Sequence, residues 1–179
     1  MMRSLLALAL CAASLPAAAG EILRDDFSNP KSGWANFAAT RSSDLGFAVY
    51  TDTGGYQLTP VADGAFGFIV APKQPASGKT RVEADLFLYA GIGAGAAGLG
   101  CRYRDHKNFY AFMARGDAQL MILKIKDGVV TPLAQGAVKS IMPGSVDTRL
   151  TARCEGDKLT FAAKNGATLT ATDGDFPEG

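Results

Sequence analysis

The central part of the chain alternates apolar and polar residues, which is the period-two pattern of strands with one buried face. The run "KTRVEADLFLY" puts Val82, Ala84, Leu86 and Leu88 on one face and Arg81, Glu83 and Asp85 on the other. Two later runs repeat the pattern, with Leu99, Cys101 and Tyr103 in one and Leu150, Ala152 and Cys154 in the other. The alternation therefore predicts half-buried strands and turns both cysteines toward a shared core.

Turn-forming residues separate these runs at intervals of roughly ten residues, a spacing typical of all-β sandwiches and barrels. Asp127-Gly128 and Asn165-Gly166 are examples, because Asp-Gly and Asn-Gly pairs accept the positive φ angles of tight hairpins. We predict an antiparallel meander of strands over residues 96–104, 108–114, 118–126, 129–133, 147–154, 158–163 and 167–172. The glycine-rich segment 91–98 is either a mobile loop or a place of close backbone contact.

The N-terminus has the three parts of a secretory leader: a positive charge at Arg3, an apolar run from Leu5 to Leu15, and three alanines at 17–19. A membrane-spanning helix needs about 20 apolar residues, whereas this run is shorter and is followed by Pro16. We therefore predict a signal peptide over residues 1–19 and a mature domain over residues 20–179. The mature domain would have no membrane span and would be periplasmic or extracellular.

The charge balance narrows the class of partner. The chain has 18 Lys and Arg against 17 Asp and Glu, and loss of Arg3 with the leader leaves 17 of each. A neutral domain lacks the basic stripe that drives binding to nucleic acid. We therefore expect no nucleic-acid partner.

Cys101 and Cys154 are the two cysteines of the predicted mature domain. Export would place them in an oxidising compartment, where paired cysteines form disulfides. We therefore predict a disulfide between Cys101 and Cys154, and the alternative is two separate buried thiols. In the chain-entropy model, closing a loop of this length stabilises a fold by about 4 kcal/mol.

The order of motifs resembles a known family. "DDFSNPKSGW", "GGYQL", "CRYRDHKNFYAFM", "KDGVVTPL" and "TDGDFPEG" together resemble secreted bacterial concanavalin-A-like (laminin-G-like) jelly-roll domains, a group that includes relatives of the 3-keto-disaccharide hydrolases. The resemblance extends from about Leu23 to Gly179 and implies an all-β sandwich of two curved antiparallel sheets. Such domains usually continue after "DFPEG" with a strand that pairs beside the N-terminal one. We therefore expect a domain that lacks its last strand, with a strand near Ile22–Phe27 left unpaired.

Residues suited to catalysis are few. His106 is the only histidine, it occupies a polar turn, and no Gly-x-Ser-x-Gly motif is present, so neither a Ser-His-Asp triad nor a zinc site is predicted.

Glu83 and Asp85 have the i, i+2 spacing that sugar hydrolases on related jelly rolls use, and a solvated outer face explains them equally well. Asp25-Asp26 leads to no metal prediction, and Arg115-Gly116-Asp117 is read as a hairpin turn. We predict no catalytic residues, no metal and no cofactor.

The binding prediction centres on Arg102 and Arg104, which the alternation turns outward. An even-numbered loop over 105–108 would turn Tyr110 and Phe112 into the core, whereas an odd-numbered loop would place them beside the arginines. Arginine forks suit sugar hydroxyls and aromatic planes suit sugar rings. Trp34 would either stack on a sugar or plug one end of the core.

The predicted ligand-binding residues are therefore Arg102, Arg104, Tyr110 and Trp34. The function expected from them is that of a non-catalytic exported module that binds a carbohydrate or another cell-envelope polymer on one sheet face. Two alternatives stay open at this point. One is a glycoside-hydrolase-like enzyme acting on a modified disaccharide, and the other is a structural envelope protein with no small ligand.

Overall fold

The computed structural model describes residues 20–38, 45–60, 67–75, 78–89, 95–138, 145–164 and 166–178. These segments form strands and no helix, so none of them provides a helix that would cross a membrane. The strands are β1 (Phe37–Ala38), β2 (Leu45–Tyr50), β3 (Tyr56–Pro60), β4 (Thr80–Tyr89), β5 (Ala96–Asp105), β6 (Asn108–Arg115), β7 (Gln119–Lys126), β8 (Val129–Ala137), β9 (Ser145–Glu155), β10 (Lys158–Ala163) and β11 (Thr168–Thr172). The predicted signal peptide at 1–19 lies outside the described residues.

Two four-stranded antiparallel sheets form a sandwich, with strand orders β11-β10-β9-β4 and β5-β6-β7-β8. Strands β4 and β9 pack over β5, while β11 packs over β8 and β7. A small sheet, β1-β2-β3, precedes them. The predicted all-β sandwich is confirmed. The single meander is confirmed only within each sheet, because the chain passes from one layer to the other between β4 and β5 and again between β8 and β9.

The main core fills the space between the two layers. Its largest side chains are fully buried and come from both sheets: Tyr110, Phe112, Leu120, Ile122, Leu150, Leu159 and Phe161. The predicted disulfide is confirmed, since Cys101 of β5 is bonded to Cys154 of β9 with their Cα atoms 6.7 Å apart. The bond therefore joins the two layers of the sandwich.

A β-bulge interrupts the alternation of β5. Cys101 pairs with Tyr110, but the next pair is Asp105 with Asn108, so β5 contains two more residues than β6 over this stretch. Arg102 has a positive φ of 55°. The bulge reverses the phase of the strand, and two predictions are wrong as a result. Arg102 points inward and Tyr103 packs outside the main core, against Phe109.

The β5-β6-β7-β8 sheet is apolar on both faces. Its outer face carries a second cluster of buried side chains: Phe109, Ala111, Leu123 and Ile125, with Phe68, Tyr103, Met113 and Met121 packed against them. The Phe68 ring lies 5.0 Å from that of Phe109 and 5.6 Å from that of Tyr103. Around Phe109 this face is therefore already covered by apolar contacts, whereas Val130 of β8, the register partner of Ile125, is 55% exposed.

Two further predictions concern the N-terminal segment and the glycine-rich segment. Residues 22–27 form no strand, so the expected N-terminal strand near Ile22–Phe27 is wrong. In the glycine-rich segment, residues 91–94 lie outside the described part, but Gly98 shows the predicted close backbone contact. A Cβ atom at Gly98 would overlap the carbonyl oxygen of Phe112.

Candidate functional site

Arg102 is a structural residue of the sandwich interior and lies only 2% exposed. Its guanidinium donates hydrogen bonds to the carbonyl oxygens of Phe176 at 3.0 Å, Gly78 at 2.9 Å and Cys154 at 3.3 Å. These three acceptors belong to three separate segments. The prediction that Arg102 faces outward is therefore wrong, because the bulge turns its side chain into the end of the core.

Tyr110 is also interior, with 1% of its surface exposed. The turn at His106 and Lys107 contains two residues, and Tyr110 and Phe112 point inward as the even-numbered alternative predicts. The Tyr110 hydroxyl donates to the Asp173 carboxylate at 2.6 Å. Burial, reinforced by this carboxylate, raises the pKa of Tyr110 to about 12.

Arg104 remains on the surface. Its guanidinium lies 5.3 Å from the centre of the Phe176 ring, a cation–π distance. Phe176 itself is 3% exposed and packs on Tyr110 with ring centres 5.0 Å apart. Arg104 thus covers the end of the core, and the structure does not bring it into a shared exposed site with Arg102 and Tyr110.

Trp34 packs in a cluster of aromatic rings near the small sheet. Its ring centre is 5.4 Å from Phe27 and 5.8 Å from Tyr56, and its Nε1 donates to Asp25 at 2.8 Å. Hydrogen bonds, first of all from Ser32, lower the pKa of Asp25. The cluster is separate from the main core, so Trp34 does not plug the sandwich. Its stacking on a sugar stays a prediction.

The outer face of the β11-β10-β9-β4 sheet is exposed, and we call it the polar face. Alternation and register place these side chains on it: Arg81, Glu83, Asp85, Phe87, Arg149, Thr151, Arg153, Glu155, Lys158, Thr160, Ala162, Thr168, Thr170 and Thr172, with Lys164 at its border. Residues between them on the same strands pack in the main core: Leu86, Leu150, Ala152, Cys154, Leu159, Phe161, Leu169 and Ala171. Of the two outer sheet faces, this is the one that is open and hydrophilic.

Charged pairs cross the polar face between β4 and β9. Arg149 binds both carboxylate oxygens of Asp85, at 2.9 and 2.6 Å. Glu83 accepts a hydrogen bond from Thr151 at 2.8 Å and pairs with Arg81 at 2.5 Å. The fork of Arg149 lowers the pKa of Asp85, and the Thr151 hydroxyl together with Arg81 lowers that of Glu83.

These pairs bear on the hydrolase alternative. A glycosidase general acid needs a raised pKa so that it is protonated near neutral pH. Glu83 and Asp85 are both shifted the other way, and each is already bonded to an arginine. The arrangement suits hydrogen bonding to a ligand better than proton transfer.

Among the side chains that the structure describes, an aromatic ring shares the face with these pairs. Phe87 follows Asp85 at i+2 on β4 and is 52% exposed. Residues two apart on a strand are separated by about 7 Å, so the ring lies next to the Asp85–Arg149 pair. Sequence alternation alone placed Glu83 and Asp85 on this face, but the pairing of β4 with β9 that brings Arg149 and Arg153 beside them was not foreseen.

Other features that the sequence singled out are local. Arg115 and Asp117 form an ion pair at 2.8 Å within the predicted hairpin turn. Asp26 accepts a hydrogen bond from the backbone of Ser28. Within the described segments, no three His, Cys, Asp or Glu side chains group so as to hold a metal ion.

Fold and face together define a β-sandwich domain with one open, hydrophilic sheet surface. A solved structure of similar architecture is the carbohydrate binding module CBM66 from Bacillus subtilis, with a TM-score of 0.60 and 20% sequence identity over 83% of this chain and 84% of that one. No family model and no curated protein sequence matches the chain. At this identity, the likeness establishes the β-sandwich fold.

Proposed function

We propose that this chain is an exported, non-catalytic module of concanavalin-A-like type that binds carbohydrate on the polar face. One observation carries the proposal: Phe87, 52% exposed, lies beside the bidentate Asp85–Arg149 pair on an open sheet. An aromatic ring accepts the apolar side of a sugar, and planar charged groups bind its hydroxyls.

The open sheet surface, with exposed side chains on each of its strands, supports recognition of a polymer rather than of a small enclosed ligand. Threonine hydroxyls continue the face from β9 to β11, with Thr151 and Thr160 near the charged pairs and Thr168, Thr170 and Thr172 at the far edge. Hydroxyls both donate and accept hydrogen bonds. Several sugar units of one chain can therefore contact the face at once. The likeness in fold to a carbohydrate binding module agrees with this use.

Export is the second part of the proposal. It rests on the leader pattern of residues 1–19 and on the Cys101–Cys154 disulfide, a bond that persists in oxidising compartments. A glycoside-hydrolase activity is the alternative function. It is disfavoured by the lowered pKa values of Glu83 and Asp85.

A glycan array probed with the chain produced without residues 1–19 tests the binding function. We expect bound glycans whose signal falls at least tenfold in Phe87→Ala and in Arg149→Gln. Val129→Ala and Arg104→Gln are matched controls, because Val129 is 65% exposed on the opposite sheet and Arg104 lies at the end of the core. Both controls should bind as the parent does.

Two results would overturn the binding proposal. One is the absence of any bound glycan on an array of broad composition. The other is binding that survives both face variants while their circular dichroism spectra remain those of the parent. Release of reducing ends from a bound glycan would instead favour the hydrolase.

A further inference from the structure

Two arginines meet on the polar face without an acid between them. Arg81 of β4 and Arg153 of β9 are directly opposed cross-strand neighbours. Like charges in that arrangement destabilise a sheet. Arg81 pairs with Glu83 at 2.5 Å, whereas Arg153 has neither an ion pair nor a side-chain hydrogen bond with any part of the chain that the structure describes. Arg153 is thus an exposed cation set beside another cation.

The described charges around Arg153 are otherwise balanced. Glu155 follows Arg153 at i+2, and its register partner across β10 is Lys158, which carries the opposite charge. Glu83 and Asp85 are already neutralised by their arginine partners. The unbalanced positive charge is concentrated around Arg153.

Hydroxyl groups continue the row that contains Arg153. Thr160 of β10 is its register partner on the other side, and Thr170 of β11 is the partner of Thr160. Neighbouring strands are about 4.8 Å apart, so the row presents two guanidinium forks and then two hydroxyls along one line. A guanidinium fork matches a carboxylate in a bidentate geometry. A sugar that bears a carboxylate fits both halves of the row.

We propose that the carbohydrate bound on the polar face is a polyuronate, with a uronate carboxylate placed between Arg81 and Arg153 and ring hydroxyls toward Thr160 and Thr170. This inference rests on the proposed carbohydrate-binding function and names the chemical class of its ligand. The bound anion would relieve the repulsion between the two arginines. Arg153 would then determine specificity for acidic over neutral polymers, while Phe87 contributes to binding of either kind.

Titration calorimetry on the chain without residues 1–19 tests this specificity. The probes are polygalacturonate, alginate and hyaluronate, the methyl-esterified form of polygalacturonate, and dextran sulfate. We expect at least one polyuronate to bind at least tenfold more tightly than both the esterified polymer and dextran sulfate. Arg153→Gln should weaken that binding at least tenfold, and Arg104→Gln, a surface arginine outside the face, should leave it unchanged.

A second measurement needs no ligand. Since Arg153 faces Arg81, Arg153→Gln should raise the melting temperature at low salt, and the gain should shrink as salt screens the charges. A fall in melting temperature would mean that Arg153 has a structural partner, and would overturn the inference.

The outcomes separate this inference from the binding function itself. Equal binding of esterified and free polymer, or equal binding of dextran sulfate, overturns the polyuronate assignment. Binding of a neutral glycan that depends on Phe87 but not on Arg153 also overturns the polyuronate assignment. The proposed carbohydrate-binding function would then still hold. Absence of binding to every polymer, together with an empty glycan array, overturns both.

Discussion

Tyr110 donates a 2.6 Å hydrogen bond to the carboxylate of Asp173, which ties the start of β6 to the segment that follows β11. Lys124 of β7 binds the other carboxylate oxygen at 2.6 Å. The same segment carries Phe176, whose ring is buried against Tyr110. Asp173 therefore holds the closing segment of the sandwich in place, and its ionisation should matter for stability.

We expect stability to fall in acid through Asp173. Burial favours its neutral form, but hydrogen bonds from Lys124 and Tyr110 outweigh this effect and lower the pKa of Asp173 from that of an ordinary aspartate. A carboxyl with a depressed folded-state pKa stabilises the fold above its unfolded pKa, and the contribution is lost as the pH falls through the folded pKa. The contribution should thus be complete above about pH 5 and decline below about pH 4.

Asp173→Asn checks this expectation. The side chain is 12% exposed, and loss of hydrogen bonds to a charged group should lower the free energy of unfolding at pH 7 by roughly 1–3 kcal/mol. Urea denaturation at pH 7 and at pH 3 measures it. The difference between parent and variant should shrink at pH 3. Asp52→Asn, in an exposed turn, is the control. An equal difference between parent and Asp173→Asn at both pH values would contradict the expectation.

Arg102 and Arg104 should differ sharply in their effect on stability. Arg102→Met leaves three carbonyl acceptors without their donor, and each buried unsatisfied group costs about 1–3 kcal/mol. We expect a loss of at least about 2 kcal/mol, with no rescue by lysine, which lacks the planar fork. Arg104→Met removes one exposed cation–π contact and should cost less than about 1 kcal/mol. Thermal unfolding compares the two, and similar losses would contradict the assignment of Arg102 to the interior.

These two arginines also show which feature of the fold the alternation of apolar and polar residues did not predict. Alternation identified the strands correctly because one face of each is buried, and it turned Cys101 and Cys154 toward the core. It failed one residue after Cys101, since a β-bulge is a backbone feature that leaves no trace in the order of apolar and polar residues. Arg102 and Arg104 looked equivalent in the sequence, yet only Arg104 reaches the surface.

The candidate site was predictable in part. The outward phase of Glu83 and Asp85 follows from β4 alone. Their cross-strand partners, Arg149 and Thr151, come from β9, more than sixty residues further along the chain. The pairing of distant strands depends on register and turn geometry. The opposition of Arg81 and Arg153 is therefore visible only once the sheet is assembled.

Gly98 should tolerate no side chain. A Cβ atom there would overlap the backbone of Phe112 and lie 2.9 Å from the sulfur of Met113, whereas at Gly100 its nearest contact is an ordinary 3.5 Å to the Tyr110 oxygen. Gly98→Ala must shift β5 away from β6, and we expect a loss of about 2 kcal/mol or more. Gly100→Ala should change stability by less than about 0.5 kcal/mol. Chemical denaturation of the two variants measures the difference in stability. Equal stability would show that β5 can move away from β6 at Gly98 with little cost in free energy.

The Cys101–Cys154 bond should contribute a large part of the net stability. It joins the two layers across 53 residues of sequence, and loop closure of that size is worth about 4 kcal/mol in the chain-entropy model. Cys101→Ala/Cys154→Ala should lower the free energy of unfolding by a similar amount. Urea denaturation with and without reductant measures it, and non-reducing mass analysis should find the parent two hydrogen masses lighter than its reduced form. The double variant is the control, because reductant should not change its free energy of unfolding. If reductant also leaves the free energy of unfolding of the parent unchanged, the disulfide contributes little to stability.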